Sequence, residues 1–153
     1  MTVEIAEFSD AHRDGLYALF TAEEYRDQAE RLKLGQQLYE KRYVAVRGEE
    51  VLGFMEGTFL DFSEDESGSY PAPRARVLTL LVSSAARRER IGSDLLSRFA
   101  ADARDAGLDA VVLYPDPHDP VGRLAFFKRC GLEKLSAGEM LGARLRTVLA
   151  NAQ

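Results

Sequence analysis

The chain has one cysteine, Cys130, and two histidines among its 153 residues. A single thiol can form no intramolecular disulfide, and no cysteine-based metal cluster can be assembled around it. No apolar run approaches the length needed to span a bilayer. Residues 1–9, with Glu4 and Glu7, lack the basic start and apolar middle of a secretion signal, so a cytoplasmic location is expected. Positive charge is also in deficit. The 20 Lys and Arg against 25 Asp and Glu leave a formal net charge of -5, which argues against the broad basic face that nucleic acid or an anionic membrane requires. Neither a Gly-Lys-Ser/Thr phosphate loop nor a Gly-x-Gly-x-x-Gly fingerprint occurs, which counts against a plain nucleotide-binding α/β domain. There is no internal repeat and no linker-like segment.

What is present is 46% hydrophobic residues in a chain of single-domain length, so residues 1–153 are expected to form one domain around one core. The chain is organised around Val77 to Leu96. Val77 to Val82 is a near-continuous apolar run of strand length, as expected of a strand covered on both faces. After Ala86 the period changes: Ile91, Leu95, Leu96, Phe99, Ala100 and Ala103 recur at helical spacing, with Asp94, Arg98, Asp102 and Asp105 opposite. Between strand and helix lie Arg87, Arg88, Glu89, Arg90 and Gly92. A helix start offers free N–H groups and the positive end of its dipole, and Gly92 has no side chain to obstruct them. A local basic loop in an acidic chain points to a small anion, and a pyrophosphate suits it.

These residues resemble motif A of the GNAT superfamily of acyl-CoA-dependent N-acyltransferases. The family's loop pattern, (Gln/Arg)-x-x-Gly-x-(Gly/Ala), is met at its first and last positions by Arg87 and Gly92, with Arg90 in place of the middle glycine. Leu80-Leu81-Val82 before the loop, Ser93-Asp94-Leu95-Leu96 after it, and Ala125 to Leu132, similar to the family's Phe-Tyr-x-x-x-Gly-Phe ending, extend the likeness in the right order. The resemblance implies that the pyrophosphate of acetyl-CoA, or of another acyl-CoA, sits on Arg88, Glu89, Arg90, Ile91, Gly92 and Ser93, with Arg87 beside it. It implies a pantetheine arm pairing like an extra strand with Leu80 and Val82, and a thioester carbonyl facing the Val82 N–H, a catalytic oxyanion donor. The implied reaction is direct acyl transfer to a primary amine of a small molecule or peptide, without a covalent enzyme intermediate and without a metal. An acyl-CoA-binding sensor of the same fold is the alternative. Homodimerisation is left open.

The rest of the chain divides readily. Val3 to Phe8 alternates as a first strand, with Ser9 or Asp10 as N-cap of a short helix carrying Leu16, Leu19 and Phe20. A second helical stretch covers Ala22 to Tyr39, with a break at Gly35. Tyr43 to Val46 and Val51 to Phe62 read as a hairpin through Arg47-Gly48-Glu49-Glu50, with Gly53 and Gly57 hinting at a bulge or a close approach. Asp61 to Arg76 reads as a loop whose carboxylates are solvated or attract a cationic amine. Gly107 suits a helix end, Ala110 to Tyr114 is a second buried strand, and Asp119 with Pro120 starts another helix that Gly131 ends. Leu132 to Leu135 and Met140 to Val148 read as last strands. The order β-α-α-β-β-β-α-β-α-β-β predicts an α/β fold, a mixed sheet of six to seven strands with helices on both faces, with the strands at Val77 and Ala110 parallel.

Three expectations concern chemistry. Glu56 is the leading candidate for a base that deprotonates the amine, directly or through water, against the alternative of an exposed strand glutamate. The family's tyrosine acid appears here as Phe127, so proton delivery to the thiolate falls to solvent or to Tyr114 at the end of its strand. Arg90 either strains a positive-φ position or is already helical and adds a cation, and the second is favoured. Pro120 and Arg123 replace an asparagine and an alanine of the family. Cys130 reads as a small buried residue rather than a nucleophile.

Overall fold

The computed structural model describes residues 2–32, 40–63, 69–87, 89–115, 120–135 and 139–151. The alternating start gives β1 (Glu4–Glu7), followed by a 3₁₀ turn at Asp10–His12, α1 (Arg13–Ala22) and α2 (Arg26–Leu32). The hairpin is β2 (Glu40–Arg47) and β3 (Glu50–Asp61). The central stretch is β4 (Arg74–Val82), a 3₁₀ turn at Ser84–Ala86 and α3 (Ile91–Asp105). Then come β5 (Ala110–Leu113), α4 (Pro120–Arg129), β6 (Glu133–Lys134), β7 (Leu141–Arg144) and α5 (Leu145–Asn151). The seven strands form one sheet in the order β1-β2-β3-β4-β5-β7-β6, with β4 and β5 parallel and every other neighbouring pair antiparallel. The expected mixed sheet is therefore the observed one.

Strand alternation divides the core between two faces. Tyr43, Ala45 and Met55 pack with Ile91, Leu95 and Phe99 of α3. Val44, Phe54 and Leu81 point the other way, onto Leu16, Leu19 and Phe20 of α1. The two glycines of β3 let α3 lie close on the sheet: a Cβ on Gly53 would come within 2.8 Å of Ile91 Cγ2, and one on Gly57 within 2.5 Å of Phe99 Cζ. The register also shifts between Glu56 and Gly57, so both the close approach and the bulge are present.

Two departures from the expected boundaries have a clear physical reason. β4 begins at Arg74, not Val77, because the charges that suggested a loop are paired across the strands. Arg74 is 2% exposed, and its Nε donates to Asp61 Oδ2 at 3.0 Å and its Nη1 to the Tyr70 carbonyl at 2.7 Å. Asp61 is thus a buried ion-pair partner rather than a solvated loop carboxylate. Residues 64–68, which carry the other acids of that segment, lie outside the described residues. So do residues 33–39, with the expected break at Gly35, and residues 116–119, with the expected cap Asp119. The stretch read as a strand from Met140 to Val148 changes to helix at Leu145, where Leu145 and Val148, one turn apart, bury themselves in the core that α3 shares.

The functional consequence lies between β4 and β5. Their pairing covers only Ala75–Val77 against Val111–Leu113. From Leu78 onward the β5 side of β4 has no strand partner among the described residues.

Candidate active site

Which backbone groups face that open edge follows from register. Ser83 N–H donates to Leu52 O at 2.8 Å, which makes Gly53 and Val82 a non-hydrogen-bonded pair. Counting back, Leu81 exchanges hydrogen bonds with Phe54 of β3, while the N–H and C=O of Leu80 and Val82 point to the opposite side. Arg123 of α4 agrees with this geometry, since its Nη1 donates to Leu80 O at 2.8 Å across the gap.

Beyond Val82 the chain makes its 3₁₀ turn and enters α3. The first helical bond is Asp94 N–H to Arg90 O, 3.0 Å, so the N–H groups of Ile91, Gly92 and Ser93 precede any intrahelical partner. Arg90 is the N-cap, with φ 62 and ψ 20. The helical alternative favoured from sequence is therefore wrong: the residue keeps the left-handed geometry that a glycine adopts freely, at a cost of about 1–3 kcal/mol. Glu89 does not neutralise the loop, because its carboxylate accepts from Arg47 on β2. Arg87 instead approaches Glu23, at 3.5 Å, and the same Glu23 oxygen accepts from Ser84 N–H at 3.0 Å and Ser84 Oγ at 2.5 Å. Arg88 lies outside the described residues.

A cavity of about 890 Å³ runs from this loop along the open edge of β4. At its loop end are Arg87, Arg90, Gly92 and Ser93. At its inner end are Tyr25, Leu80, Arg123 and Phe127, with Val82, Phe126 and Cys130 between. A Cβ on Gly92 would stand 3.2 Å from Phe126 Cζ and 3.6 Å from Val82 Cγ2, so the missing side chain is what keeps the passage clear there. Burial pushes the Cys130 thiol up from its usual value, with a hydrogen bond from Ser93 opposing in part. That favours the inert thiol over a nucleophile.

The structure brings together Leu80, Val82, Arg87, Arg90, Gly92 and Ser93, but not the two acid-base candidates. Glu56 is 2% exposed, accepts from Arg42 Nε at 2.7 Å and is not on the cavity wall. Tyr114 is 47% exposed, with the Arg76 guanidinium 5.0 Å from its ring centre. It borders a smaller recess on the far side of Leu80, Arg123 and Phe127. Among the side chains that sequence reasoning did not place in the site are Glu23, Tyr25 and Arg123. For Arg123 there was a usable signal, its position one helical turn before Phe127 on the same face. Tyr25 had none, since its partner Arg123 is 98 residues away. Among the described residues no group of three or more His, Cys, Asp or Glu is placed to hold a metal ion.

The sheet thus parts beside a strand–loop–helix turn in an α/β protein, and one cavity joins the two. The chain belongs to the Acetyltransferase (GNAT) family, whose profile matches residues 5–132, and it is an acyltransferase of that family. Its fold is shared by a GNAT-family acetyltransferase from Staphylococcus aureus Mu50, at 13% identity and TM-score 0.74, covering 94% of this chain and 99% of that one. An aminoglycoside 6′-N-acetyltransferase from Acinetobacter baumannii is 16% identical with TM-score 0.71, over 90% and 95% of the two chains. The PaiA N-acetyltransferase of Thermoplasma acidophilum, solved with coenzyme A, is 18% identical with TM-score 0.63, over 94% and 99%. No curated relative matches the chain by sequence. No helix among the described residues is long and apolar enough to cross a membrane.

Proposed function

We propose that residues 1–153 act as a single domain that transfers an acetyl group from acetyl-CoA to a primary amine of a small molecule or peptide, by direct attack, in the cytoplasm. The observation that carries this reading is the continuity of the open β4 edge with the first amides of α3, which precede the first intrahelical bond at Asp94. The pyrophosphate goes to the N–H groups of Ile91, Gly92 and Ser93, with Arg87 and Arg90 as cations. Charge-assisted hydrogen bonds contribute on the order of 1.5–3 kcal/mol each, so three or four are enough for micromolar binding, about 8 kcal/mol. The pantetheine arm follows Leu80 to Val82, and the Val82 N–H, turned to the open edge by its register, stabilises the developing oxyanion. Arg123 must release Leu80 O, or share it, when the arm arrives. A base role for Glu56 runs through water, because Glu56 has no place on the cavity wall. The aminoglycoside acetyltransferases of the same fold support an aminoglycoside-like acceptor.

Titration calorimetry with acetyl-CoA, followed by thiol release over spermidine, kanamycin and a lysine peptide, tests the proposal. Micromolar binding with turnover on at least one amine is expected. Binding without turnover would instead favour the acyl-CoA-binding module, a reading to which Phe127 and the Arg123 contact with Leu80 lend weight. Preference for ATP or NAD over CoA would overturn both.

A further inference from the structure

We propose that Tyr25 is the catalytic acid that protonates the departing CoA thiolate, and that Arg123 is the positioning residue that aims it. This rests on the acyl-transfer reading above. The family's tyrosine position on α4 is Phe127, which is 3% exposed, lines the inner end of the cavity and has no proton to give. One turn earlier on the same helix face, Arg123 reaches two groups at once: Nη1 donates to Leu80 O at 2.8 Å, and Nη2 donates to the Tyr25 hydroxyl oxygen. One guanidinium thus fixes a phenol beside the β4 edge along which the thioester arm is laid.

The direction of these bonds matters. A guanidinium has no lone pair, so Tyr25 can only accept from Arg123 and must turn its own O–H proton elsewhere. The phenol lines the cavity although Tyr25 is 4% exposed, so its hydroxyl is directed by protein contacts rather than by bulk water. Its backbone is also fixed. Glu24 takes φ 63 to turn the chain after α1, and Tyr25 N–H donates to Phe20 O at 2.8 Å.

The proposed step balances. The neutral amine nitrogen attacks the thioester carbon, the N–C bond forms and the C–S bond breaks, with its electron pair going to sulfur. Sulfur takes the Tyr25 proton and leaves as the thiol. The phenolate recovers a proton lost by the acylated nitrogen, through water, and no redox partner is involved.

The test uses the full-length protein, acetyl-CoA and the fastest amine of the panel above. Tyr25→Phe should lower kcat about 100-fold, within the range for a general acid. It should also abolish the alkaline limb of the kcat–pH profile and leave acetyl-CoA affinity within about twofold, which also reports that the fold survives. Arg123→Met should lower kcat about tenfold and leave acetyl-CoA affinity within about twofold, with partial recovery of kcat in Arg123→Lys, a kcat-against-affinity split that a purely structural role of Arg123 would not produce. An unchanged kcat and profile in Tyr25→Phe would overturn the assignment. So would a loss confined to acetyl-CoA affinity, or loss of the limb in Tyr114→Phe instead. Wild-type protein that binds acetyl-CoA yet turns over no amine would overturn the acyl-transfer reading itself, and this assignment with it.

Discussion

The two ends of the cavity both rely on arginine but are built differently. At the loop end, Arg87, Arg90, Gly92 and Ser93 come from one short run of chain, and the groups that would meet an anion are largely backbone amides at the start of α3. At the inner end, Tyr25 of the α1–α2 connection, Leu80 of β4 and Arg123 of α4 come from three distant stretches of chain and meet only when the protein folds. The difference teaches where each end is vulnerable. Backbone amides survive every substitution except proline, so the loop end should fail chiefly when something is added to it. The inner end depends on two side chains and should fail when something is removed, as Tyr25→Phe is meant to do.

The largest effect follows from obstruction. Gly92→Glu places a carboxylate where Phe126 and Val82 leave only 3.2–3.6 Å for a Cβ, and a negative charge at a helix start meant for an anion. CoA affinity should fall at least about 100-fold, or about 2.7 kcal/mol, in titration calorimetry, with the far-ultraviolet dichroism of the fold retained. Equal affinity in a folded Gly92→Glu protein would dissolve the contrast between the ends. Arg87→Ala removes one side chain from an end that rests on backbone, so its cost should be only about tenfold in CoA Kd. A loss as large as that of Gly92→Glu would show that the loop, too, depends on side chains.

Arg90→Gly should have the smallest effect and separates conformation from charge. Glycine adopts φ 62 without the strain that arginine bears. Part of the relief is offset by greater freedom of the unfolded chain, so the net gain should be about 0.5 kcal/mol, a Tm rise of roughly 2 °C. CoA affinity should fall about threefold through the lost cation. A lower Tm would mean that contacts of the Arg90 side chain outweigh its backbone strain.

Much of the loop end could be read from the sequence because everything it needs is local. An apolar run, a change of period, clustered arginines and one glycine specify a strand, a turn and a helix start within a single stretch. The same locality explains the parallel pairing of β4 with β5. What could not be read depends on distant partners. Arg74 looked like loop until Asp61 and Tyr70 were seen to hold it, and β4 was accordingly judged three residues too short at its start. Leu145 and Val148 read as strand from the sequence, and only the surface of α3 that they cover makes them a helix. Glu56 stood out as a candidate because it is a carboxylate on the right strand, and only the structure shows Arg42 occupying it. The φ of Arg90 is likewise invisible in a residue type that prefers helix.

The one-sided pairing of β4 also has a consequence in time. Within this strand, successive amides face alternate neighbours: those of Thr79 and Leu81 are held by β3, and those of Leu80 and Val82 turn to the open edge. Hydrogen exchange should therefore be slow at Thr79 and Leu81 and fast at Leu80 and Val82, a tooth-by-tooth pattern inside a single central strand where neighbours ordinarily exchange together. A thioester arm bonding to that edge would slow Leu80 and Val82 and leave Thr79 and Leu81 as they were. The strand thus carries its own clock for occupancy, one that runs whether or not an acceptor amine has been found.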